Sequence, residues 1–178
     1  MGEVTFLWDQ LLLVMEEKQN NRVEFILSNI DNINTSDNLG ITPLHMASGF
    51  NSADTVSKIV TRPGINVNLQ SESGYTPLHD ACLENHHQVV RQLLACPGIQ
   101  VNLRDKDGFT PIMISSLFCH KETLKIMLED HHVNLDMEDV NGRGLEELVR
   151  IDCDDKERME DCLFMIRYEK MKRLLNMF

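Results

Sequence analysis

The sequence predicts an all-α solenoid, a single domain over residues 1–178 built from about five stacked helix–turn–helix units. Three observations predict it. Thr42-Pro43-Leu44, Thr76-Pro77-Leu78 and Thr110-Pro111-Ile112 recur at a spacing of 34 residues. A glycine two places before each threonine keeps the beat at Gly40, Gly74 and Gly108, and again at Gly142 without its threonine. Apolar and small positions follow: Ala47, Ala81 and Ser115; Val56, Val90 and Leu124; Ile59, Leu93 and Met127. Self-similarity at a period of roughly 20–50 residues marks one supersecondary unit stacked on copies of itself.

The first unit, residues 1–35, lacks the Thr-Pro start but keeps Phe25-Ile26, Ile33 and Asn34 in register, as a degenerate terminal repeat does. Clear repeats span 36–69, 70–103 and 104–137. Each opens on a turn whose glycine takes positive φ cheaply. The threonine is a good N-cap, and the proline after it sits where a missing N–H costs nothing. A short first helix carries Leu44 and Ala47, and a polar break follows at Asn51-Ser52 or Asn85-His86. The second helix places Val56, Ile59 and Val60 at helical spacing and stops at Arg62-Pro63-Gly64, or Cys96-Pro97-Gly98 in the next repeat. The last unit, 138–178, opens at Gly142-Arg143-Gly144-Leu145 and ends in a long helix from about Lys156 to near Phe178. Asp154 and Glu157 have capping-box spacing before an apolar stripe of Met159, Cys162, Leu163, Ile166, Leu174, Leu175 and Phe178.

Asp37-x-x-Gly40-x-Thr42-Pro43-Leu44-His45-x-Ala47 and Gly74-x-Thr76-Pro77-Leu78-His79-x-Ala81 resemble the ankyrin repeat. Gly108-x-Thr110-Pro111-Ile112-Met113 is similar, with Met113 in place of the histidine. The resemblance covers nearly the whole chain. It implies an ankyrin-repeat solenoid with a long C-terminal capping helix, acting as a non-catalytic protein-interaction module. It also implies that His45 and His79 hydrogen-bond the threonine hydroxyl and neighbouring backbone, tying repeats together.

Composition narrows the function. The net charge of −11 is uneven: residues 129–161 carry −9, residues 1–128 carry −5 and residues 162–178 carry +3. Such a chain repels phosphate backbones, so nucleic acid is not an expected partner. The apolar run Leu11 to Met15 is too short to span a bilayer and lacks the flanks of a secretory signal. Five cysteines at irregular spacing make no disulfide framework, so a reducing compartment is expected: the cytoplasm, with the nucleus open by size.

No catalytic, cofactor or metal site is expected. The chain has no Gly-rich phosphate loop and no Gly-x-Ser-x-Gly. The pairs His86-His87 and His131-His132 lack a third ligand at metal spacing. Cys82 and Cys162 read as small buried hydrophobes, and Cys153 sits among Asp152, Asp154 and Asp155, which disfavour a thiolate.

Positions the repeat does not constrain point to a partner. Ile41, Tyr75, Phe109 and then Arg143 directly follow the beat glycines. Packing on the fourth helical residue explains Ile41 with Met46 and Phe109 with Ile114, but fails for Tyr75, which meets Asp80. By resemblance this column lies on the concave side, beside the first-helix ends. The candidate surface is therefore Leu39, Ile41, Phe50, Tyr75, Leu83, Glu84, Phe109, Leu117 and Phe118. Small ankyrin-only proteins are similar in plan to kinase-binding regulators such as inhibitors of cyclin-dependent kinases. The expected function is thus a regulatory subunit in a hetero-complex with another protein, a cell-cycle protein kinase in its sharper form. The alternative is an adaptor bridging two proteins in a transcriptional or signalling complex. Arg167, Lys170, Lys172 and Arg173 of the last helix complement its C-terminus and form a second docking candidate.

Overall fold

A computed structural model describes residues 10–11, 13–15 and 20–176. Residues 10–11 and 13–15 are helical, and nine further helices follow among the described residues, with no strand. They are α1 (Asn20–Ser28), α2 (Pro43–Gly49), α3 (Ala53–Val60), α4 (Pro77–Leu83), α5 (His87–Leu94), α6 (Pro111–Leu117), α7 (Lys121–Glu129), α8 (Leu145–Asp152) and α9 (Lys156–Leu175). First helices α2, α4, α6 and α8 pack side by side in one row. Second helices α1, α3, α5, α7 and α9 form the other row.

Two short helices cannot bury an apolar stripe on their own, so neighbouring units do it for each other. Leu44, Leu78, Ile112 and Leu145 from the first row are at most 1% exposed. Ile59, Leu93 and Met127 from the second row are fully buried. Each such side chain contributes about 1.5–3 kcal/mol relative to exposure, so the core is a column of equal steps along the stack.

Polar groups repeat with the same period. Thr42 caps α2, and the Thr42 hydroxyl and the His45 Nδ1 lie 2.7 Å apart. The other His45 nitrogen, Nε2, donates to the Tyr75 carbonyl of the next repeat at 2.9 Å. Thr76 and His79 repeat the arrangement, with His79 reaching Phe109 O at 3.1 Å. The tie expected of these histidines is present in both repeats. In the third repeat Met113 offers only a long sulfur contact to the Thr110 N–H, 3.4 Å, and the Thr110 hydroxyl has no partner among the described residues.

A second ladder runs through the return loops. Asn34 donates to Gly64 O at 2.8 Å and accepts from the Asn66 N–H at 2.8 Å. Asn68 does the same with Gly98 and Gln100, and Asn102 with His132 and Asn134. An amide side chain is needed because one group must both donate and accept. At the next rung stands Asp136, which cannot donate; Lys170 of α9 pairs with it at 3.0 Å.

The terminal helix departs from expectation in two ways. Its N-cap is Asp155, which accepts from the Arg158 N–H at 3.0 Å, one residue later than the Asp154–Glu157 capping box placed it. Its expected stripe also divides. Cys162, Leu163 and Ile166 are buried, but Leu174 and Leu175 are 62% and 68% exposed, because α9 outruns the shorter helices beneath it. Phe178 lies outside the described residues. Where apolar packing ends, Arg173 takes over: its guanidinium donates to the carbonyls of Leu128 in the last turn of α7 and of Asp130 and Val133 just beyond it. It also pairs with Glu169 at 3.2 Å. Those carbonyls are the acceptors a helix terminus leaves unsatisfied.

Candidate protein-binding surface

The turn that precedes each first helix is built from one side chain. Asp37 Oδ1 accepts the N–H groups of Leu39 and Ile41 at 2.9 and 2.8 Å. Asp105 holds Asp107 and Phe109 at 2.9 and 2.7 Å, and Asp139 holds Asn141 and Arg143 at 2.8 and 2.9 Å. Ser71 substitutes in the remaining turn, where its hydroxyl accepts from Tyr75 N–H at 3.2 Å. Backbone bonds stitch the tips together: Glu72 N–H to Leu39 O at 2.8 Å, Lys106 to Ser73 at 3.1 Å, and Val140 to Asp107 at 3.1 Å. The residues after the glycines are therefore held in one file by backbone, whatever their side chains do.

Exposure along this file is uneven. Leu39 at the tip is 60% exposed, and Phe50 and Phe118, the C-caps of α2 and α6, are 36% and 37% exposed. Glu84, the C-cap of α4, is also exposed. Ile41, Tyr75, Leu83, Phe109 and Leu117 are half-buried. Tyr75, left unexplained by local packing, lies against the ring of His79, with centroids 5.4 Å apart. The Arg143 guanidinium covers Phe109 at 5.9 Å from its centroid. Phe118 stacks on His120 at 5.7 Å.

An acid sits in the middle of the first row. Asp80 occupies the α4 position that Met46 holds in α2 and Ile114 in α6. Burial, reinforced by Glu84 one turn on, pushes its carboxyl up to about 8. Tyr75 is also raised, by burial and then by the charges of Asp105, Asp80 and Asp107. The centre of the file is thus aromatic and acid-lined.

Two further histidines have backbone partners. His86 Nδ1 donates to Ser48 O and His120 Nδ1 to Cys82 O, both at 2.9 Å, which joins successive repeats between their two helices. His131 and His132 stand beside each other with Asp130 accepting from His132. Among the described residues, no three His, Cys, Asp or Glu are placed to hold a metal ion, and no helix is long and apolar enough to cross a membrane.

A family model described as ankyrin repeats, in three copies, matches residues 11–105. The chain belongs to the ankyrin-repeat family. No curated protein matches it. The matched stretch ends before α6, but α6 and α7 continue the same helix pair and α8 and α9 close it. Ankyrin repeats are protein-binding units and typically carry no catalysis, so this ankyrin chain is read as an interaction module.

One exposed feature went unnoticed in the sequence. Phe164, Tyr168, Met171 and Leu175 of α9 follow each other at steps of four, three and four residues, and all are more than half exposed. Phe164 and Tyr168 stack with centroids 6.1 Å apart. The spacing was present in the sequence, but the buried stripe through Cys162 and Ile166 on the same helix obscured it.

Proposed function

We propose that this ankyrin chain is a non-catalytic regulatory subunit that holds a partner protein across the turn tips and first helices of repeats two to four. The observation that carries the reading is the file of Leu39, Phe50 and Phe118. They are large, exposed apolar side chains fixed by backbone and cap geometry, with half-buried Tyr75 and Phe109 between them. Rigid aromatic and aliphatic side chains bury much area on binding at little entropic cost. The acid at the centre, Asp80 with Glu84, favours a partner that brings basic or neutral hydrogen-bonding groups there. A protein kinase of the cell-cycle type is the sharper form of the proposal.

The test is affinity co-purification from native extract, wild type beside a Tyr75→Glu/Phe118→Glu double variant shown helical by circular dichroism. The expected outcome is a protein captured by the wild type and lost from the variant, with a kinase among the lost proteins supporting the sharper form. Equal capture by both would remove this surface from consideration. The second reading, an adaptor with two partners, is favoured by the outward apolar face of α9. It predicts that Phe164→Glu/Met171→Glu loses one captured protein while keeping another.

A further inference from the structure

Helix α9 is apolar on two sides and uses one of them. Cys162, Leu163 and Ile166 hold it to its own stack. On the other side Phe164, Tyr168, Met171 and Leu175 are between 52% and 69% exposed, with Leu174 at the edge 62% exposed, and no described residue covers them. Alternating steps of four and three residues are the spacing at which two packed helices keep one seam turned to each other. Three observations bear on what covers this seam. It is polarised: its first half is aromatic, Phe164 stacked on Tyr168, and its second half, Met171 and Leu175, is aliphatic. Reversed against itself, such a seam sets rings on aliphatic chains and a thioether on an aromatic edge, a favourable contact. Its flanking charges are already paired within the chain, Arg167 with Glu146 at 2.8 Å and Lys172 with Glu169 at 3.1 Å. They neither select a charged partner nor set one copy against another at short range. Finally, five side chains this exposed offer on the order of 500 Å² per copy, so a pair would bury about 1,000 Å², where specific interfaces begin.

We infer that α9 packs antiparallel against α9 of a second copy of this chain, forming a two-fold dimer. Phe164 faces Leu175 of the second copy and Tyr168 faces Met171, each contact occurring twice, as an isologous interface requires. Arg167 lies opposite Leu174 of the second copy, where its methylene stem extends the apolar edge while its guanidinium stays on Glu146. The net charge of −11 opposes this association at long range, and salt screens that repulsion, so the dimer strengthens as salt is raised. The file of Leu39, Phe50 and Phe118 belongs to the turn tips and the first-helix row, whereas α9 belongs to the second. The dimer therefore leaves that file open and presents it twice, and it stands independently of what the file holds.

The experiment is analytical ultracentrifugation of the purified full chain, kept reduced, at concentrations from about 1 to 100 μM. The expected result is a mass that rises from 20.5 kDa towards twice that value with concentration, and further at higher salt. Phe164→Glu/Met171→Glu stays at 20.5 kDa, with unchanged circular dichroism and thermal unfolding because both side chains lie outside the core. Phe50→Glu dimerises as wild type does. Orientation is read by mild oxidation and peptide mapping of a Phe164→Cys chain mixed with a Leu175→Cys chain. The mixture forms the cross-link and neither chain alone does, because antiparallel packing holds like positions about 16 Å apart along the axis. A wild-type chain that stays monomeric throughout would overturn the assignment. If it then sediments with phosphatidylserine vesicles, the face belongs to a lipid surface; if it leaves them alone, the face belongs to a different protein. A dimer that survives in the double variant, or one in which Phe164→Cys links to itself, overturns it as well.

Discussion

At the scale of single residues, two neighbours in α4 respond to pH in opposite senses. Burial lowers His79 from its ordinary 6.5 to about 4, so the folded protein keeps it neutral while the unfolded chain protonates it. Below 6.5 the unfolded state holds more protons, and acidification towards 4 costs up to about 3 kcal/mol. His45, lowered by burial too, acts in the same direction. Asp80 does the reverse. Its folded carboxyl retains a proton up to about 8, whereas its ordinary value is 3.8, so stability falls as pH rises through that window. The carboxyl is only half-buried, which scales its contribution to about 1–2 kcal/mol. We therefore expect Asp80→Asn to be more stable than wild type by that amount at pH ~8, and to lose stability more steeply on acidification, as followed by urea unfolding. A variant that tracks wild type from acid to base would refute the role of this carboxyl. The pairing of His45 and His79 with their threonines was legible in the motif. The raised pKa of Asp80 was not, because it depends first on how far the stack buries the carboxyl.

Helices and turns are where the sequence was most readable. Thr-Pro located the starts of α2, α4 and α6, since cap and first-turn chemistry are local. The glycines separate into two kinds that look alike in sequence. Gly74 has φ of 87°, and a Cβ there would lie 2.8 Å from the Asp105 Cα of the next turn. Gly98 has φ of 76° but open space around it. Gly98→Ala is expected to cost about 1 kcal/mol from conformation alone. Gly74→Ala is expected to cost about 3 kcal/mol or more, because stacked backbone cannot yield as a side chain can. Equal losses in thermal unfolding would show that the turn tips do not bear on one another as described. The start of α9 at Lys156 was legible, but its N-cap was misplaced by one residue because Asp154 and Asp155 both have capping chemistry. The division of its apolar residues into buried and outward sets was illegible for a related reason: helical period gives a stripe its angle, not the length of the surface that will cover it.

Considered whole, the molecule is a one-dimensional stack in which each repeat touches only its neighbours, so stability divides among units and interfaces. The last interface rests on Cys162, Leu163 and Ile166 of α9 against α7 and α8. Leu163→Ala is expected to cost about 3 kcal/mol. The loss should concentrate in the last two units, giving faster amide exchange in α7, α8 and α9 with α2 to α5 unchanged. A uniform increase across the chain would mean that the array unfolds as one body.

The asparagine ladder has a consequence for how long such an array can be. Each rung, Asn34, Asn68 and Asn102, offers the next unit one donor and one acceptor, and nothing in that exchange counts how many units precede it. Growth by duplication of a middle unit would meet a matching edge on both sides. The exchange stops at Asp136, which presents an acceptor without a donor, and Arg173 already occupies three carbonyls at and beyond the end of α7. Like a monomer with one reactive end capped, Asp136 interrupts an exchange that the interior rungs repeat without change.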